Sequence, residues 1–402
     1  MMKKPELLAP AGSFEKMQAA VQYGADAVYF AGSGFGLRAR AGNFDLDEMD
    51  KAYKFLRANG KKGYVTVNAY LKNDEFDGLK EYFGQLGDIR PDAVIVSDPG
   101  VFRYAKKYAP EIPIHISTQA NVTNLSAVEF WHELGAERVI LARELSGEEI
   151  KYICKNTRCE VEAFVHGAMC ISMSGRCLIS NYMTGRDANA GDCAQSCRWN
   201  YALVEQNRDG QYYPVEEDER GTYFYNSKDL CLIDRIGELA EAGVSSLKIE
   251  GRMKSVMYVS VVTGVYRKAI DRAAAGDYTA DRGWFRMLQS VSHREYTEAF
   301  YDGDADHKTM NYGTSNYIRG CEYLGQVLEP VDGGTLIEAK AKFAPNEAVS
   351  VLTPDMEETD ILTGKITEPN GNPVEFTKPG IKCILKGLTL PAGSIIRRYE
   401  KG

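Results

Sequence analysis

The sequence predicts an α/β protein, a (β/α)8 TIM-like barrel with a long cysteine-bearing insertion after strand 7, together with a small C-terminal all-β domain. Two observations indicate the barrel: eight short apolar segments are each followed by an amphipathic helical pattern, and together they occupy about the 250 residues that such a barrel needs. Short alternating strands and turn residues after residue 310 indicate the β domain. A doubly wound open sheet requires the same local pattern, but eight units without a phosphate-binding fingerprint favour the barrel.

The predicted strands are near-continuous apolar runs that are rich in Val and Ile. Such runs are typical of parallel strands that are buried on both faces. Polar turns bound them and separate them from the helical patterns. In chain order the predicted strands are Glu6–Pro10, Asp26–Ala31, Gly63–Tyr70, Asp92–Ser97, Ile112–Ser117, Glu137–Ala142, Glu160–Val165 and Val244–Glu250.

Helical patterns fill the intervals between the strands. Two capping boxes, Asp45 with Glu48 and Ser146 with Glu149, predict where helices begin, because side chain and backbone there satisfy each other's hydrogen-bonding groups. Apolar residues at i, i+3, i+4 and i+7 form one helix face, and glycines end several helices just before a strand. The apolar face consists of Met49, Ala52, Tyr53 and Leu56, and the glycines are Gly24, Gly135 and Gly243.

The chain divides into three predicted parts. Residues 1–280 form the barrel, and residues 166–230 within them form the insertion between strand 7 and its helix. Residues 281–309 connect the barrel to a small β-barrel domain at 310–402, where turn signals such as Asp332-Gly333-Gly334 separate the strands. Loops that follow barrel strands build the active-site face, and loops as long as this insertion are usually functional or disordered. We therefore expect the insertion to carry chemistry.

Composition and charge limit the function classes. The chain has 48 Lys and Arg against 56 Asp and Glu residues, a net charge of −8, so any RNA contact must be local rather than spread over a basic domain. The N-terminus lacks the apolar core of a signal peptide, and no apolar run reaches the roughly 20 residues that span a bilayer. We therefore expect a cytoplasmic protein without a membrane partner, whose thiols stay reduced.

Four of the nine cysteines lie in one glycine-rich, polar segment of the insertion. The spacing there is C-x6-C, fifteen residues, then C-x3-C, and Cys231 follows at the head of the next predicted helix. Core thiols suit such polar surroundings poorly, and disulfides suit a reducing compartment poorly. Zinc and an iron–sulfur cluster both need about four thiolates, and the residues alone leave the two equally open. The four cysteines are Cys170, Cys177, Cys193 and Cys197.

Polar side chains follow several predicted strands and should converge on one face. Because the parallel strands of a barrel end at the same face, these residues predict a polar mouth with both signs of charge. Arg143, Arg176 and Arg252 could bind carboxylates or phosphates through two parallel hydrogen bonds, or pair with Glu144 and Glu250 as structural ion pairs. The strand-end residues are Asn68, Asp98, Ser117, Thr118, Gln119, Arg143, Glu144, His166, Glu250, Gly251 and Arg252.

Several common catalytic motifs are absent from the sequence. The run from Gly34 to Ala39 matches G-x-G-x-x-A, but the next helix begins only near Asp45, whereas a dinucleotide site needs the glycines to open the helix directly. There is no P-loop, H-E-x-x-H or G-x-S-x-G, and no Ser or Cys nucleophile with an adjacent base can be assembled. Two histidines lie near the mouth, and His115 is inside a strand, where we expect a satisfied structural residue, which leaves His166.

Several stretches of the chain resemble peptidase family U32, the collagenase-like proteins. The resemblance covers nearly the whole chain, including the C-terminal β domain. It implies either a collagenase-like peptidase or a protein that hydroxylates without molecular oxygen. For the second activity it implies a tRNA wobble uridine, a ribosomal RNA cytidine or a ubiquinone precursor as substrate, with prephenate as oxygen donor. The stretches are ELLAPAGSFEKMQAAVQYGADAVYF, STQANVTN, VEAFVHGAMCISMSGRC, CRWNY, NSKDLCLI and KIEGRMKS.

The length of the chain and its one β domain resemble the family branch that makes 5-hydroxyuridine in tRNA. Members of the ubiquinone branch of the family carry a [4Fe–4S] cluster on four cysteines. Carried over to this chain, the resemblance implies a cluster on Cys170, Cys177, Cys193 and Cys231, with Cys197 as an alternative ligand and zinc as an alternative metal. The implied partners are the tRNA anticodon region, a small carboxylate-bearing donor and an electron-donor protein. A zinc-stabilised, non-catalytic RNA-binding scaffold is a further alternative.

On this hypothesis the mouth binds a flipped-out base and the donor, because an enzyme must take a base out of the stack to reach its ring atoms. Arg143 and Arg252 are the candidates for binding donor carboxylates, and Gln119 and Asn68 for hydrogen bonds to base or donor. His166, at the end of the strand that leads to the cysteines, is the candidate acid or base. The other predicted substrate-binding residues are Glu144, Arg176 and Glu250.

Overall fold

Eight parallel strands form a closed barrel in the computed structural model of the chain, as the sequence predicts. The barrel strands, numbered here along the whole chain, are almost entirely buried because helices cover their outer faces and side chains fill the interior. They are β1 (Glu6–Pro10), β2 (Ala27–Ala31), β3 (Lys62–Val67), β4 (Ala93–Val96), β5 (Ile114–Ile116), β6 (Arg138–Ile140), β7 (Glu160–Ala168) and β13 (Ser246–Ile249). Strands β1 to β7 pair in parallel in chain order, and β13 closes the barrel by pairing with both β7 and β1.

The structure describes most of the barrel and of the C-terminal domain, and a smaller part of the insertion. The described residues are 4–33, 35, 43–169, 228–276, 278–303 and 317–400, together with 179–184, 194, 196, 203–204, 212–213, 217–218 and 221–222. Within these ranges, no helix is both long enough and apolar enough to cross a membrane.

The helices of the described chain follow the predicted pattern. The apolar face predicted for the second helix is buried, and both predicted capping boxes are formed: Glu149 N–H donates to Ser146 Oγ at 3.3 Å, and Ser146 N–H donates to Glu149 Oε2 at 2.8 Å. The α-helices are α1 (Phe14–Gln22), α2 (Leu46–Ala58), α3 (Leu79–Ile89), α4 (Pro99–Tyr108), α5 (Leu125–Glu133), α6 (Gly147–Asn156), α7 (Ile179–Thr184), α8 (Ile236–Ala242), α9 (Val256–Ala274) and α10 (Arg282–Ser290).

Strand β7 runs three residues beyond its predicted end, because a strand from the far end of the insertion returns beside it. That strand, β12 (Asp229–Cys231), is antiparallel to β7 and places Cys231 opposite His166. A further strand, β14 (Tyr296–Thr297), pairs in parallel with β12. The insertion also contains two-residue strands that pair with each other, β8 (Leu203–Val204) with β9 (Tyr212–Tyr213) and β10 (Glu217–Asp218) with β11 (Gly221–Thr222).

The C-terminal domain is a seven-stranded antiparallel sheet with a core of its own. The predicted turn at Asp332–Gly333 joins its first two strands, and Gly333 has a φ of +69°, which a glycine adopts without strain. Its strand order is β18-β17-β21-β15-β16-β20-β19. The strands are β15 (Cys321–Val331), β16 (Gly334–Ala339), β17 (Ala348–Leu352), β18 (Glu358–Leu362), β19 (Ile366–Thr367), β20 (Lys382–Lys386) and β21 (Ile395–Tyr399).

Buried polar contacts join the C-terminal sheet to the barrel helices. Tyr23 Oη of the barrel lies 3.1 Å from Leu352 O and 3.2 Å from Gly393 O. The fully buried Arg397 of β21 donates to Ser290 Oγ at the end of α10, at 2.8 Å. Buried polar groups need such partners, since an unpaired one costs free energy. The two parts of the molecule are therefore held in a defined arrangement.

Candidate active site

Apart from the predicted metal ligands, the described site residues that sequence analysis predicts lie, with one exception, just beyond barrel strands. They are therefore at the carboxyl end of the barrel, where barrel enzymes carry their active sites. Asn68 follows β3, Gln119 lies in the 3-10 helix Thr118–Ala120 after β5, Arg143 and Glu144 follow β6, and Glu250 and Arg252 follow β13. His166, the exception, lies within β7. Arg176, Cys170, Cys177, Cys193 and Cys197 lie outside the described residues.

Arg143 is held over an aromatic ring, and one hydrogen bond from its guanidinium reaches a described residue. Its Cζ lies 3.8 Å from the centroid of the Phe164 ring, a cation–π contact, and Nη1 donates to Ala168 O at 2.6 Å. Nη2 is 3.9 Å from Glu250 Oε2, which is too long for a hydrogen bond, and buried Nε has no hydrogen-bond partner among the described residues. A guanidinium in this state can donate hydrogen bonds to the oxygen of a ligand.

Glu250 is fixed beside Arg143 by its own backbone and by a tyrosine. Its N–H donates to His166 O at 2.8 Å, and Tyr29 Oη lies 3.2 Å from Glu250 Oε2. Gly167, with a φ of +107°, allows this close approach, because a Cβ there would lie 2.5 Å from Glu250 O. The close packing against Glu250 therefore explains why the VHGAMC stretch has a glycine at position 167.

Arg252 is buried at the junction of β13 and the loop that follows β1. Its Nη2 donates to Asn43 Oδ1 at 3.0 Å, and its carbonyl oxygen accepts from Lys16 Nζ at 3.1 Å. A Cβ on Gly12 would lie 2.1 Å from the same carbonyl oxygen, so this approach also requires a glycine. These contacts position the Arg252 backbone at the mouth.

The amide side chains predicted to contact a substrate are placed by hydrogen bonds between strand ends. Asn68 Nδ2 lies 3.5 Å from Ser117 Oγ, and Tyr70 Oη donates to Gln119 O at 2.6 Å. Thr118 Oγ1 donates to Leu141 O at 3.0 Å and so ties the 3-10 helix to the next loop. Asn68 and Gln119 therefore lie close together, as predicted for one binding face.

His166 faces the helical layer rather than the barrel interior. The register between β7 and β13 shifts near Val165, so that Ile249 pairs with His166 while Lys248 pairs with Phe164. The imidazole packs on three tyrosine rings, with Nδ1 3.3 Å from Tyr266 Oη, and its buried Nε2 has no hydrogen-bond partner among the described residues. Burial lowers the pKa of His166 to about 3, with smaller effects from Lys254 and His293. The rings belong to Tyr258, Tyr266 and Tyr296.

Cys231 is the one predicted metal ligand that the structure describes. It ends β12, directly before a 3-10 helix, rather than heading the next α-helix as predicted from the sequence. Its Sγ lies 3.9 Å from Tyr266 Oη, and burial raises its pKa to about 12. A buried thiolate needs a nearby positive charge, which a bound metal ion would supply at Cys231. Among the described residues there is no group of three or more His, Cys, Asp or Glu side chains that could hold a metal ion.

The barrel interior contains an ion-pair network that sequence analysis misses. Arg138 bonds to Glu6 on the opposite side of the barrel at 2.6 Å and to Glu162 at 3.1 Å, and Lys248 bonds to Glu162 at 3.0 Å. Burial alone would raise the pKa of the Glu162 carboxyl, but Lys248 and Arg138 lower it. Charged residues at alternate positions of otherwise apolar strands are the signal that would have identified the network, since alternate positions face one side.

Comparisons with known proteins agree with this architecture. The family model described as peptidase family U32 matches residues 12–311, and the model of the peptidase family U32 C-terminal domain matches residues 319–397. The tRNA hydroxylation protein P1 of Bacillus subtilis is 38% identical over 95% of this chain and 91% of its own length. The tRNA hydroxylation protein P of Escherichia coli is 38% identical over 88% of this chain and 87% of its own.

A relative that is named for ribosomal RNA is longer than this chain. The 23S rRNA 5-hydroxycytidine synthase of Escherichia coli is 37% identical over 78% of this chain but only 45% of its own length. The family models and the full-length relatives cover the barrel and the β domain alike. The chain therefore belongs to peptidase family U32.

Proposed function

We propose that this protein hydroxylates tRNA: it converts a wobble uridine to 5-hydroxyuridine without molecular oxygen, with prephenate as oxygen donor and a [4Fe–4S] cluster as cofactor. The observation that carries the proposal is the similarity to tRNA hydroxylation proteins over 95% of the chain, which includes both the barrel and the β domain. The relative that is named for ribosomal RNA is matched over only 45% of its length, and this favours tRNA as the substrate.

The mouth suits a donor that carries carboxylate groups. A guanidinium matches a carboxylate with two parallel hydrogen bonds, and Arg143 has an unused Nε and an Nη2 that makes no hydrogen bond to Glu250. Arg252 lies at the same end of the barrel and is the second candidate for donor binding, with Arg176 of the insertion as a further one. The carboxylates of Glu250 and Glu144 would partly offset the positive charge of these arginines.

The amide groups on the other side of the mouth suit a uracil ring. A carboxamide offers both a donor and an acceptor, which matches the alternating groups on the pairing edge of uracil. Asn68 Nδ2 contacts Ser117 Oγ, and the backbone carbonyl of Gln119 accepts from Tyr70 Oη, so these two contacts are formed before a base arrives. A wobble base in the anticodon loop is unpaired and can be turned into such a mouth at a lower energetic cost than a paired one.

We propose Cys170, Cys177, Cys193 and Cys231 as the ligands of the cluster, with Cys197 as the substitute ligand and zinc as the alternative metal. The bound cluster would supply one-electron chemistry, an electron-donor protein would set its resting oxidation state, and the oxygen donor would take up the two electrons that hydroxylation removes from uracil. Cys231 supports this ligand set because its strand is fixed against β7 at the point where the insertion leaves the barrel. His166 is proposed as acid or base, although its ring is turned towards α9.

Nucleoside mass spectrometry of tRNA from the host strain with this gene deleted tests the proposed function. We expect 5-hydroxyuridine and its derivatives to disappear, and to return with the wild-type gene but not with Cys231→Ser. Cys154→Ser is the matched control, since Cys154 lies on α6, outside the proposed ligand set. Unchanged nucleosides in the deletion strain would contradict the proposal.

Analysis of anaerobically purified protein tests the cofactor. About four iron and four sulfide ions per chain are expected, and zinc without iron would favour the scaffold. Incubation with gelatin tests the remaining alternative: cleavage that survives Cys170→Ala would favour a collagenase-like peptidase over a hydroxylating enzyme.

A further inference from the structure

Lys248 is a buried lysine whose ammonium group lies in the barrel interior, below the predicted mouth. It occupies the middle of β13 and is 4% exposed, and its Nζ donates to Glu162 Oε1 at 3.0 Å. Its side chain lies in the barrel interior, where it contacts Glu162. It pairs across β13 and β7 with Phe164, whereas the next residue, Ile249, pairs with the outward-facing His166. Lysine is almost never this deeply buried without a specific partner.

The ammonium has more donors than the described residues accept from. It carries three N–H groups, and its one hydrogen bond to a described residue is the bond to Glu162. The groups on its other sides are aromatic: Nζ lies 4.4 Å from the centroid of the Tyr29 ring and 5.3 Å from that of Phe164. Rings attract a cation but do not accept its hydrogen bonds as an oxygen does.

Lys248 and Arg143 lie against the same ring. Arg143 Cζ lies 3.8 Å from the centroid of the Phe164 ring, and Lys248 Nζ lies 5.3 Å from the same centroid. The hydroxyl of Tyr29, whose ring Lys248 contacts, reaches Glu250 at 3.2 Å, and Glu250 in turn lies 3.9 Å from Arg143. The two cations are therefore linked through the Phe164 ring and through the contact between Tyr29 and Glu250, near the carboxyl ends of β7 and β13.

The ion-pair network holds Lys248 in this position. Glu162 is fully buried and is bonded by Arg138 as well as by Lys248. Burial lowers the pKa of Lys248, while Glu162 acts in the opposite direction. Because Arg138 is itself paired with Glu6 and Glu160, a change at Lys248 leaves the remaining network with partners.

We propose that Lys248 is a substrate-binding residue that, together with Arg143, selects a small molecule with two carboxylate groups. Arg143 binds one carboxylate through its planar guanidinium, and Lys248 binds the second with its unused N–H groups. Glu162 positions Lys248. This inference rests on the proposed function, since it assigns a residue to the oxygen donor, and it adds a cation that sequence analysis does not select.

Binding calorimetry with the anaerobically purified holoprotein tests the assignment. The two probes are prephenate, which has two carboxylates, and phenylpyruvate, which has one. The wild type should prefer prephenate. Lys248→Met should weaken prephenate binding by about 10- to 100-fold, the usual cost of a charged hydrogen bond, and phenylpyruvate binding by less than about 3-fold. Equal losses for both probes, or no loss, would overturn the assignment.

Two further variants distinguish the loss of a binding contact from misfolding of the protein. Lys248→Met leaves Glu162 with one cation fewer, so Lys248→Met with Glu162→Gln, which removes both members of the pair, should show the same loss of preference in a folded protein. Lys62→Met is the matched control, because Lys62 pairs with Glu6 at the opposite end of the barrel, and it should retain the wild-type preference.

Failure of this inference and failure of the proposed function are distinguishable. A wild type that hydroxylates tRNA but does not prefer prephenate over phenylpyruvate contradicts the role of Lys248 alone. A wild type that binds prephenate in a Lys248-dependent way but leaves tRNA unmodified contradicts the proposed function and supports the role of Lys248.

Discussion

His115 illustrates how a single buried side chain responds to the charges of the barrel interior. Its ring meets that of Tyr64 edge-on at 4.8 Å, and its buried Nδ1 has no hydrogen-bond partner among the described residues. Burial lowers its pKa well below the usual value, and Arg138 and Lys248 lower it further. The sequence predicts a structural residue here, and the structure adds that it is not fully satisfied by hydrogen bonds.

This environment predicts a contribution of His115 to acid sensitivity. The unfolded chain takes up a proton near the ordinary histidine pKa of about 6.5 and the folded chain does not, so stability falls as the pH drops below that value. His115→Phe keeps the ring contact with Tyr64 but cannot titrate. Between pH 6.5 and 5 its free energy of unfolding should fall less steeply than that of the wild type, by up to about 1.4 kcal/mol per pH unit. Equal slopes in denaturant titrations would contradict this prediction.

Only some residues of the candidate site could be predicted from the sequence. Asn68, Gln119, Arg143, Glu250 and Arg252 could be selected because polar residues that directly follow a strand are visible in the sequence. Lys248 was not selected, although it stands in the quoted KIEGRMKS stretch, because it is the single charged residue of β13 and no second charge at an alternate position indicates its face. Its function depends on Phe164 and Tyr29, which come close only when the barrel closes.

Helix starts are features of single elements, and one of them offers a direct stability prediction. Ser146→Ala removes the side-chain acceptor of the capping box on α6 and should lower the free energy of unfolding by about 1 kcal/mol. Amide exchange in the first turn of α6 should become faster. Ser126→Ala is the control: this exposed residue lies within α5, where alanine is at least as favourable as serine. Equal effects of the two substitutions would argue against a capping role.

Elements set by local sequence could be predicted, and those set by distant pairing could not. All eight barrel strands and the capped starts of α2 and α6 follow from patterns within one segment. The extension of β7, the shift near Val165 and the strands β12 and β14 arise because chain segments far apart in sequence pair with each other. His166 is the consequence that matters most, since the shift turns its ring from the mouth to α9.

In the molecule as a whole, one arginine links the two folded parts. Arg397 is fully buried and connects Ser290 of the barrel side with Glu358 and Tyr399 of the β domain, at 2.8, 2.7 and 3.0 Å. A planar guanidinium can satisfy several acceptors at once. The next residue, Arg398, pairs with Glu322 and Glu347 at the surface of the same domain. Arg397 therefore joins the two parts of the molecule, whereas the adjacent Arg398 forms ion pairs at the surface of the β domain.

This difference predicts that Arg397→Leu loosens the docking of the domains, whereas Arg398→Leu does not. Removing one partner of a buried charge pair costs about 3–5 kcal/mol, and an exposed pair contributes about 0–1 kcal/mol. In differential scanning calorimetry, Arg397→Leu should unfold in two separated transitions, the first at a lower temperature than the wild type, because barrel and β domain stabilise each other less when this buried link is lost. Arg398→Leu should keep the wild-type profile. Similar profiles for the two variants would mean that the link between the domains does not depend on Arg397.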